Sequence, residues 1–343
     1  MKRDICDLTL EELEKEMTDM GEPRHRAKQV FRWVNGKYAD SFEKMTNLPK
    51  GLIFELDSRF EIGRLVCAEH LSSKDGTEKF LWVLRDKEHI ETVLIRERSR
   101  VTLCLSTQVG CRFRCPFCAS GSKGFIRDLS VSEIVGQVAA AQKSFSGRVT
   151  NIVFMGMGEP LDNYDNLIKV IRILNHPDGG GIGARKMTVS TCGIVPEILK
   201  LKDLGVQVEL SVSLHAANDS LRDELVPSNR KYPLNMLVEA CVRYFKDTGR
   251  IITLEYTLIK NVNDREKDAA GLAGIAKRIN AKVNLIACSS FPGSHSEGPE
   301  RAAVEDFKQK LIKLGAKVTV RRSKGADIMA ACGQLAAGGK RSS

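Results

Sequence analysis

The sequence predicts an α/β protein: a partial (β/α)6 barrel, with an N-terminal helical domain and a small β-meander ahead of it. Three observations support this class. From residue 101 onward, short strand-like apolar runs alternate with amphipathic helical stretches six times, the pattern of parallel strands joined by crossover helices. Ahead of that point the hydrophobic period is first helical and then close to two, as separate helical and antiparallel segments require. Each of the six strands leads into a polar or glycine-rich stretch, and in a parallel barrel those carboxyl ends share the face that holds the active site. A length of 343 residues, at roughly 150 residues per domain, accommodates such a barrel with an extension.

Residues 1–60 read as helical. Leu8, Leu10, Leu13 and Met17 mark one amphipathic helix, with Thr9 as its cap. A second runs through Arg24–Val34, anchored by Val30, Phe31 and Trp33, and Pro49 and Gly51 punctuate a third. Residues 61–100 change period. The runs RLVCAEHL, EKFLWVLR and HIETVLIR are strand-like, with Lys74-Asp75-Gly76 as a turn, and form a β-meander linking to the barrel. The barrel spans residues 101–335. Its strands are expected at Val101–Ser106, Asn151–Met155, Lys186–Ser190, Gln207–Ser213, Ile251–Leu258 and Lys282–Ala287. The helices between and after them are Val131–Phe145, Leu167–Leu174, Val195–Leu204, Leu234–Lys246, Lys267–Arg278 and Arg301–Leu314, followed by a further strand at Lys317–Arg321. Asp178–Gly183 is glycine-rich but precedes a strand, so it reads as a connection on the opposite barrel face. The Gly/Lys/Ser-rich tail, residues 336–343, reads as flexible.

Composition narrows the class of protein. At 42% hydrophobic and 28% charged residues, collagen-like, fibrous and disordered readings are excluded. The net charge of +10 favours an anionic partner, nucleic acid before membrane surface. No apolar run approaches the roughly 18 residues of a membrane span. The acidic, helical start, MKRDICDLTLEELEKEM, lacks an apolar signal core, so a cytoplasmic location and no membrane partner are expected. Ten cysteines are too sparse for a disulfide scaffold; clustered thiols in a reducing compartment mean metal or redox chemistry.

Cys111, Cys115 and Cys118 form C-x3-C-x2-C after the first barrel strand. A structural zinc site wants four ligands, and the nearest histidines, His89 and His176, are far in sequence. An ordinary four-iron site also takes four cysteines. Three leave one iron open for a chelating substrate or cofactor. In this position the motif resembles the radical S-adenosylmethionine (SAM) superfamily, which implies one 4Fe–4S cluster whose open iron binds SAM. Gly156–Pro160 (GMGEP) resembles the superfamily's glycine-rich motif, with Gly158 and Glu159 toward the methionine ammonium. Ser190 and the run Ser213-Leu214-His215 fall where ribose and carboxylate contacts are expected. Read alone, the glycine pair is an ordinary tight turn after a strand, and Ser190 and the Ser213–His215 run are ordinary strand-end polar groups.

The blocks ETVLI, TLCLSTQVGCRFRCPFC, MGMGEP, STCGIVP, SLHA, IITLEYTLI with VND, FPG and ACGQL together resemble the RlmN/Cfr family of RNA adenine methyltransferases, on its RlmN side. The likeness runs over nearly the whole chain, including RHRAKQVFRWV in the N-terminal domain. It implies methylation of adenine C2 in 23S rRNA and in the anticodon loop of certain tRNAs, with two SAM per turnover. In that scheme one SAM methylates Cys332. The second is cleaved reductively to a radical that takes hydrogen from the S-methyl group, and the resulting carbon adds to C2. Cys104 then releases the product, leaving a disulfide for an external reductant. Either Glu91 or Cys104 takes the C2 proton. Without the resemblance, Glu91 is an ordinary strand carboxylate, and Cys104 and Cys332 are small buried hydrophobes.

Where the family commonly has asparagine, this chain has Ser289, a shorter SAM contact. Cys192 and Cys288 read as core filling. Arg24, Arg26, Lys28, Arg98, Arg100, Arg321, Arg322 and Lys324 are candidate phosphate contacts. A monomer is expected. Two rival readings are Cfr-type methylation at adenine C8 and a non-catalytic zinc module that binds RNA.

Overall fold

The computed structural model describes residues 2–336. The expected flexible tail therefore lies, apart from Ala336, outside the described residues.

One sheet of ten strands organises the molecule. In chain order they are β1 (Val66–Ser72), β2 (Glu78–Val83), β3 (His89–Glu97), β4 (Arg100–Cys104), β5 (Asn151–Phe154), β6 (Met187–Thr191), β7 (Glu209–Ser213), β8 (Thr253–Leu258), β9 (Lys282–Ala287) and β10 (Lys317–Arg321). They lie side by side in that order. From β4 to β10 every pairing is parallel, so the expected six strand–helix units and the extra strand are present. β1 to β4 pair antiparallel. The meander was expected as a linker; through Val93↔Cys104 and Leu94↔Leu103 it extends the barrel sheet.

Helices cover one face of this sheet. The β-strand period of two sorts side chains between the faces. Val189, Leu210, Val212, Leu254, Val283 and Leu285 belong to the buried core, while the alternate positions Thr188, Ser211, Glu255, Asn284 and Thr319 are polar.

Caps set the helix starts. Thr9 Oγ1 accepts from the Glu12 amide and Glu12 Oε2 from the Thr9 amide, a reciprocal capping box. Ser130 and Glu133 repeat it ahead of the Val131–Lys143 helix. Two expected helices differ in detail. The second N-terminal helix, His25–Phe31, ends in a π turn at Arg32–Gly36. Val195–Lys200 tightens into a 3-10 turn at Leu201–Leu204, stopped by Gly205 at φ 78°.

The glycine-rich connection at 178–183 is where the helical domain meets the barrel. Lys28 Nζ lies 3.3 Å from Asp178, Phe31 packs edge-on against His176, and a Cβ on Gly36 would come within 2.8 Å of the Asp178 carbonyl. Close backbone approach explains that glycine. Among the described residues, no helix is long and apolar enough to cross a membrane.

Candidate active site

A short antiparallel ribbon, Gln108–Gly110 with Phe125–Asp128, frames the loop that carries Cys111, Cys115 and Cys118. Gly110 sits at φ 74°, and a Cβ there would overlap the Gly124 carbonyl, so the backbone can close only with glycine. Closure is sealed by the Cys111 amide donating to Gly124 O (3.0 Å) and the Cys118 amide to Cys115 O (3.0 Å). The three cysteines line one cavity over the carboxyl ends of the strands. Burial pushes the Cys111 thiol up to about 12, and raises Cys115 and Cys118 as well. Such thiols are poor free nucleophiles; binding iron as thiolates is what would release their protons. Among the described residues no three ligands gather closely enough for a single ion. A four-iron cluster takes one thiolate per iron, and the three thiols that line this cavity are the residues that would supply them.

The turn after β5 forms the opposite wall. Gly158 has φ 93°, and a Cβ would lie 2.4 Å from the Gln108 side chain. Glu159 is buried, and both carboxylate oxygens are engaged: Oε1 accepts from the Leu161 amide (3.0 Å) and Oε2 from the Cys192 amide (2.7 Å). It thereby ties this turn to the end of β6, while still lining the cavity. Ser190, Ser213, His215, Ser289 and Cys332 line it too. Ser289 Oγ is 3.3 Å from Ser323 Oγ.

Cys104 stands on β4 and Cys332 in the C-terminal segment, yet both line a second small cavity with Met155 and Arg321. Cys332 belongs to both cavities. Each of the ten cysteines is a free thiol. Burial and the neighbouring Cys332 push the Cys104 thiol up to about 12. The segment carrying Cys332 is held from several sides. The Ala119 amide donates to Gly333 O (2.7 Å), Gln334 Nε2 to Ser290 O (2.7 Å), and Lys79 Nζ to Met329 O (3.2 Å). Glu91 is part of this fastening. It is 4% exposed, pairs with Lys79 at 3.1 Å and accepts from the Ala336 amide at 2.7 Å.

Comparison with known proteins agrees with this geometry. Residues 105–273 match the Radical SAM superfamily and residues 3–62 match the ribosomal RNA large subunit methyltransferase N-terminal domain. A probable dual-specificity RNA methyltransferase RlmN from Alkaliphilus oremlandii is 44% identical over 335 residues, 97% of either chain. One from Thermotoga neapolitana is 45% identical over 334 residues, again 97% of each. The chain belongs to the RlmN family of radical SAM methyltransferases. A solved radical SAM methyltransferase from Sphaerobacter thermophilus superposes with a TM-score of 0.93 at 44% identity, covering 98% of this chain and 100% of that one. RlmN membership makes the chain an enzyme and implies a 4Fe–4S cluster and SAM, which the cysteine loop and the cavity facing it would hold.

Some residues of this RlmN-family site are not where the sequence suggested. Leu214 does not line the cavity; its side chain is in the core, and its carbonyl accepts from Arg222 Nε (3.1 Å). Cys192 and Cys288 do pack in an apolar cluster, but they also line the cavity. Arg222 escaped notice in the sequence because a surface helix was not expected at Asp219–Leu225. It is fully buried and donates to Cys192 O (2.7 Å), Ser213 O (3.2 Å) and Asn229 Oδ1 (2.9 Å) as well. It thus joins the ends of β6 and β7. Arg222→Ala leaves those buried acceptors unsatisfied and is expected to cost about 3 kcal/mol or more. Urea unfolding measures this, and an unchanged midpoint would refute the joining role.

His215 is held in the left-handed region at φ 58°. Its Nδ1 accepts from the Thr257 amide (3.0 Å), so the ring proton sits on Nε2. Burial, with Arg222 nearby, lowers the imidazole from 6.5 to about 3. Below pH 6.5 the unfolded chain therefore binds a proton that the native site refuses. This group's stability contribution is complete above 6.5 and is lost as pH falls toward 3, at about 1.4 kcal/mol per pH unit. His215→Asn is expected to flatten the acid-side slope of unfolding free energy of the cluster-free protein by about one proton; an unaltered slope would show that His215 titrates normally.

Proposed function

We propose that this enzyme methylates C2 of an adenosine in 23S rRNA and of one in the anticodon loop of certain tRNAs, through S-methylated Cys332. The observation that carries this reading is the shared cavity of Cys104 and Cys332, beside the three-cysteine loop. Relatives named dual-specificity RNA methyltransferases support the choice of RNA.

Adenine C2 is electrophilic and does not attack the methyl group of SAM. Held by the cysteine loop and the cavity facing it, the cluster and a second SAM would supply the radical that takes a hydrogen atom from the methyl group and makes its carbon reactive. Cys332 Sγ takes up the first methyl group as its own proton leaves, and carries it to the base. Once the adduct has given up the C2 proton and one electron, the latter back to the cluster, Cys104 Sγ attacks Cys332 Sγ, breaking the sulfur–carbon bond and closing a disulfide, while the Cys104 proton passes to the released carbon, which becomes the product's methyl group. Two electrons from an external reductant reopen it, which suits a monomer working in a reducing cytoplasm. Of the two groups available for the C2 proton, the buried Cys104 thiol still holds its own proton, so we assign the C2 proton to the Glu91 carboxylate, which also fastens the C-terminal segment.

Nucleoside analysis of RNA from cells with and without the gene tests the reading. The expected product co-elutes with authentic 2-methyladenosine. Co-elution with 8-methyladenosine, or an identical nucleoside profile from both cells, would overturn it.

The N-terminal helix supplies a further test. Arg24→Ala with Arg26→Ala is expected to make the salt dependence of RNA affinity shallower, by about one log unit per log salt for each phosphate left without its cation. Lys28→Ala adds less, since Lys28 already pairs with Asp178. An unchanged slope would place the RNA elsewhere.

A further inference from the structure

Parallel strands are ordinarily apolar on both faces, and the interior of a closed strand–helix barrel is packed side chain. This half-barrel departs from both. Its uncovered face carries a bonded polar row across β7 to β10. Ser211 Oγ donates to Glu255 Oε1 (3.3 Å), Asn284 Nδ2 to Glu255 Oε2 (2.8 Å) and Thr319 Oγ1 to Asn284 Oδ1 (3.0 Å). The row borders a cavity of about 640 Å³, within the roughly 300–1,000 Å³ usual for small-molecule sites.

Position gives the cavity its meaning. Met155 and Glu255 also line the SAM-side cavity, and Arg321 and Lys324 also line the thiol cavity. It therefore abuts Cys104 and Cys332 from below. At its outer rim Glu97 is paired with Arg100, and Glu209 with Arg250. Lys186, Arg322 and Lys324 form no ion pair among the described residues, which leaves the rim cationic. Over the carboxyl ends of the strands, the C-terminal segment is anchored to Ala119 and to Ser290, and the cavity on that side is the one facing the cysteine loop, which the cluster and SAM would occupy.

We propose that this polar cavity receives the extruded target nucleoside, entering from the amino ends of the strands. Asn284 and Ser211 hydrogen-bond the purine, and Lys186, Arg322 and Lys324 hold the flanking phosphates. The proposal rests on the RNA-methylation reading above. Extruding a base exposes donors and acceptors that need partners, and the row offers hydroxyl, amide and carboxylate groups beside the reacting thiols. A cationic rim suits the phosphates on either side.

A 23S rRNA fragment with 8-azidoadenosine at the target position, irradiated on the wild-type holoenzyme, tests the site without altering the protein. Crosslinked peptides are expected from residues 209–213, 282–287 or 317–324. In parallel, Asn284→Ala and the pair Arg322→Ala with Lys324→Ala are expected to raise KM for that RNA about tenfold each, with a much smaller change in kcat. Crosslinks confined to the N-terminal helices, or an unchanged KM in both variants, overturn the site. A wild-type enzyme that never methylates the unmodified fragment overturns the RNA-methylation reading itself, whatever it crosslinks.

Discussion

Cys104→Ala enzyme is expected to stall while bonded to its RNA through Cys332. Cys104 lies on β4 and Cys332 follows the last strand, but the two thiols share one cavity. On the proposed reading, removing Cys104 would take away the group that breaks the sulfur–carbon bond and leave Cys332 able to carry the methyl group. The linkage should survive denaturant and reductant, because a thioether bridge is not a disulfide. Cys332→Ala should give no linked RNA at all, and the double variant should match it, since the earlier missing step masks the later one. Denaturing gels of RNA-loaded protein, with peptide mass spectrometry of the linked band, measure the outcome. Normal turnover by Cys104→Ala, or a linked peptide lacking Cys332, would refute the assignment. Inactivity without linkage would contradict Cys104 as a release group alone and would point to its role in taking the C2 proton.

Cys111→Ala, Cys115→Ala and Cys118→Ala are each expected to lose the cluster and all turnover. The loop that carries them has no slack: Gly110 and Gly121 are pressed against backbone at Gly124 and Cys115, so a neighbouring residue cannot swing in as a substitute. Each of these half-buried thiols is raised in pKa by desolvation, and each would release its proton to solvent on binding iron. Anaerobically reconstituted variants should lack the broad visible absorbance of thiolate-bound iron and bind well below a full complement of iron and sulfide. Cys332→Ala is the matched control, expected to keep its cluster while losing turnover. A loop variant with a full cluster and wild-type activity would remove that cysteine from the ligand set.

Local patterns carried much of the fold. The Thr9 capping box rests on residues three apart, so chemistry near in sequence could reveal it. The six strand–helix units follow from side-chain period, which local backbone geometry dictates. C-x3-C-x2-C is legible for the same reason, since one short loop brings its thiols together. Gly158 was legible as a turn, although the Gln108 side chain that forbids a Cβ there was not.

What the sequence determined by itself was therefore whatever neighbours along the chain decide: the strand and helix periods, the caps, the cysteine loop and the resemblance those motifs carry. Tertiary structure alone decided which distant groups meet. Glu91 reads as an ordinary strand carboxylate until the Ala336 amide, 245 residues away, comes to rest on it. Arg222 carries no signal in the sequence, and only the folded chain brings the carbonyls at the ends of β6 and β7 onto it. The meander reads as a linker until β3 pairs with β4. The polar row from Ser211 to Thr319 exists only once four strands are in register. The physical reason is common to all four. Periodicity assigns a side chain to a face, but its partner across that face is set by strand order and register, and those are fixed only when the whole sheet assembles.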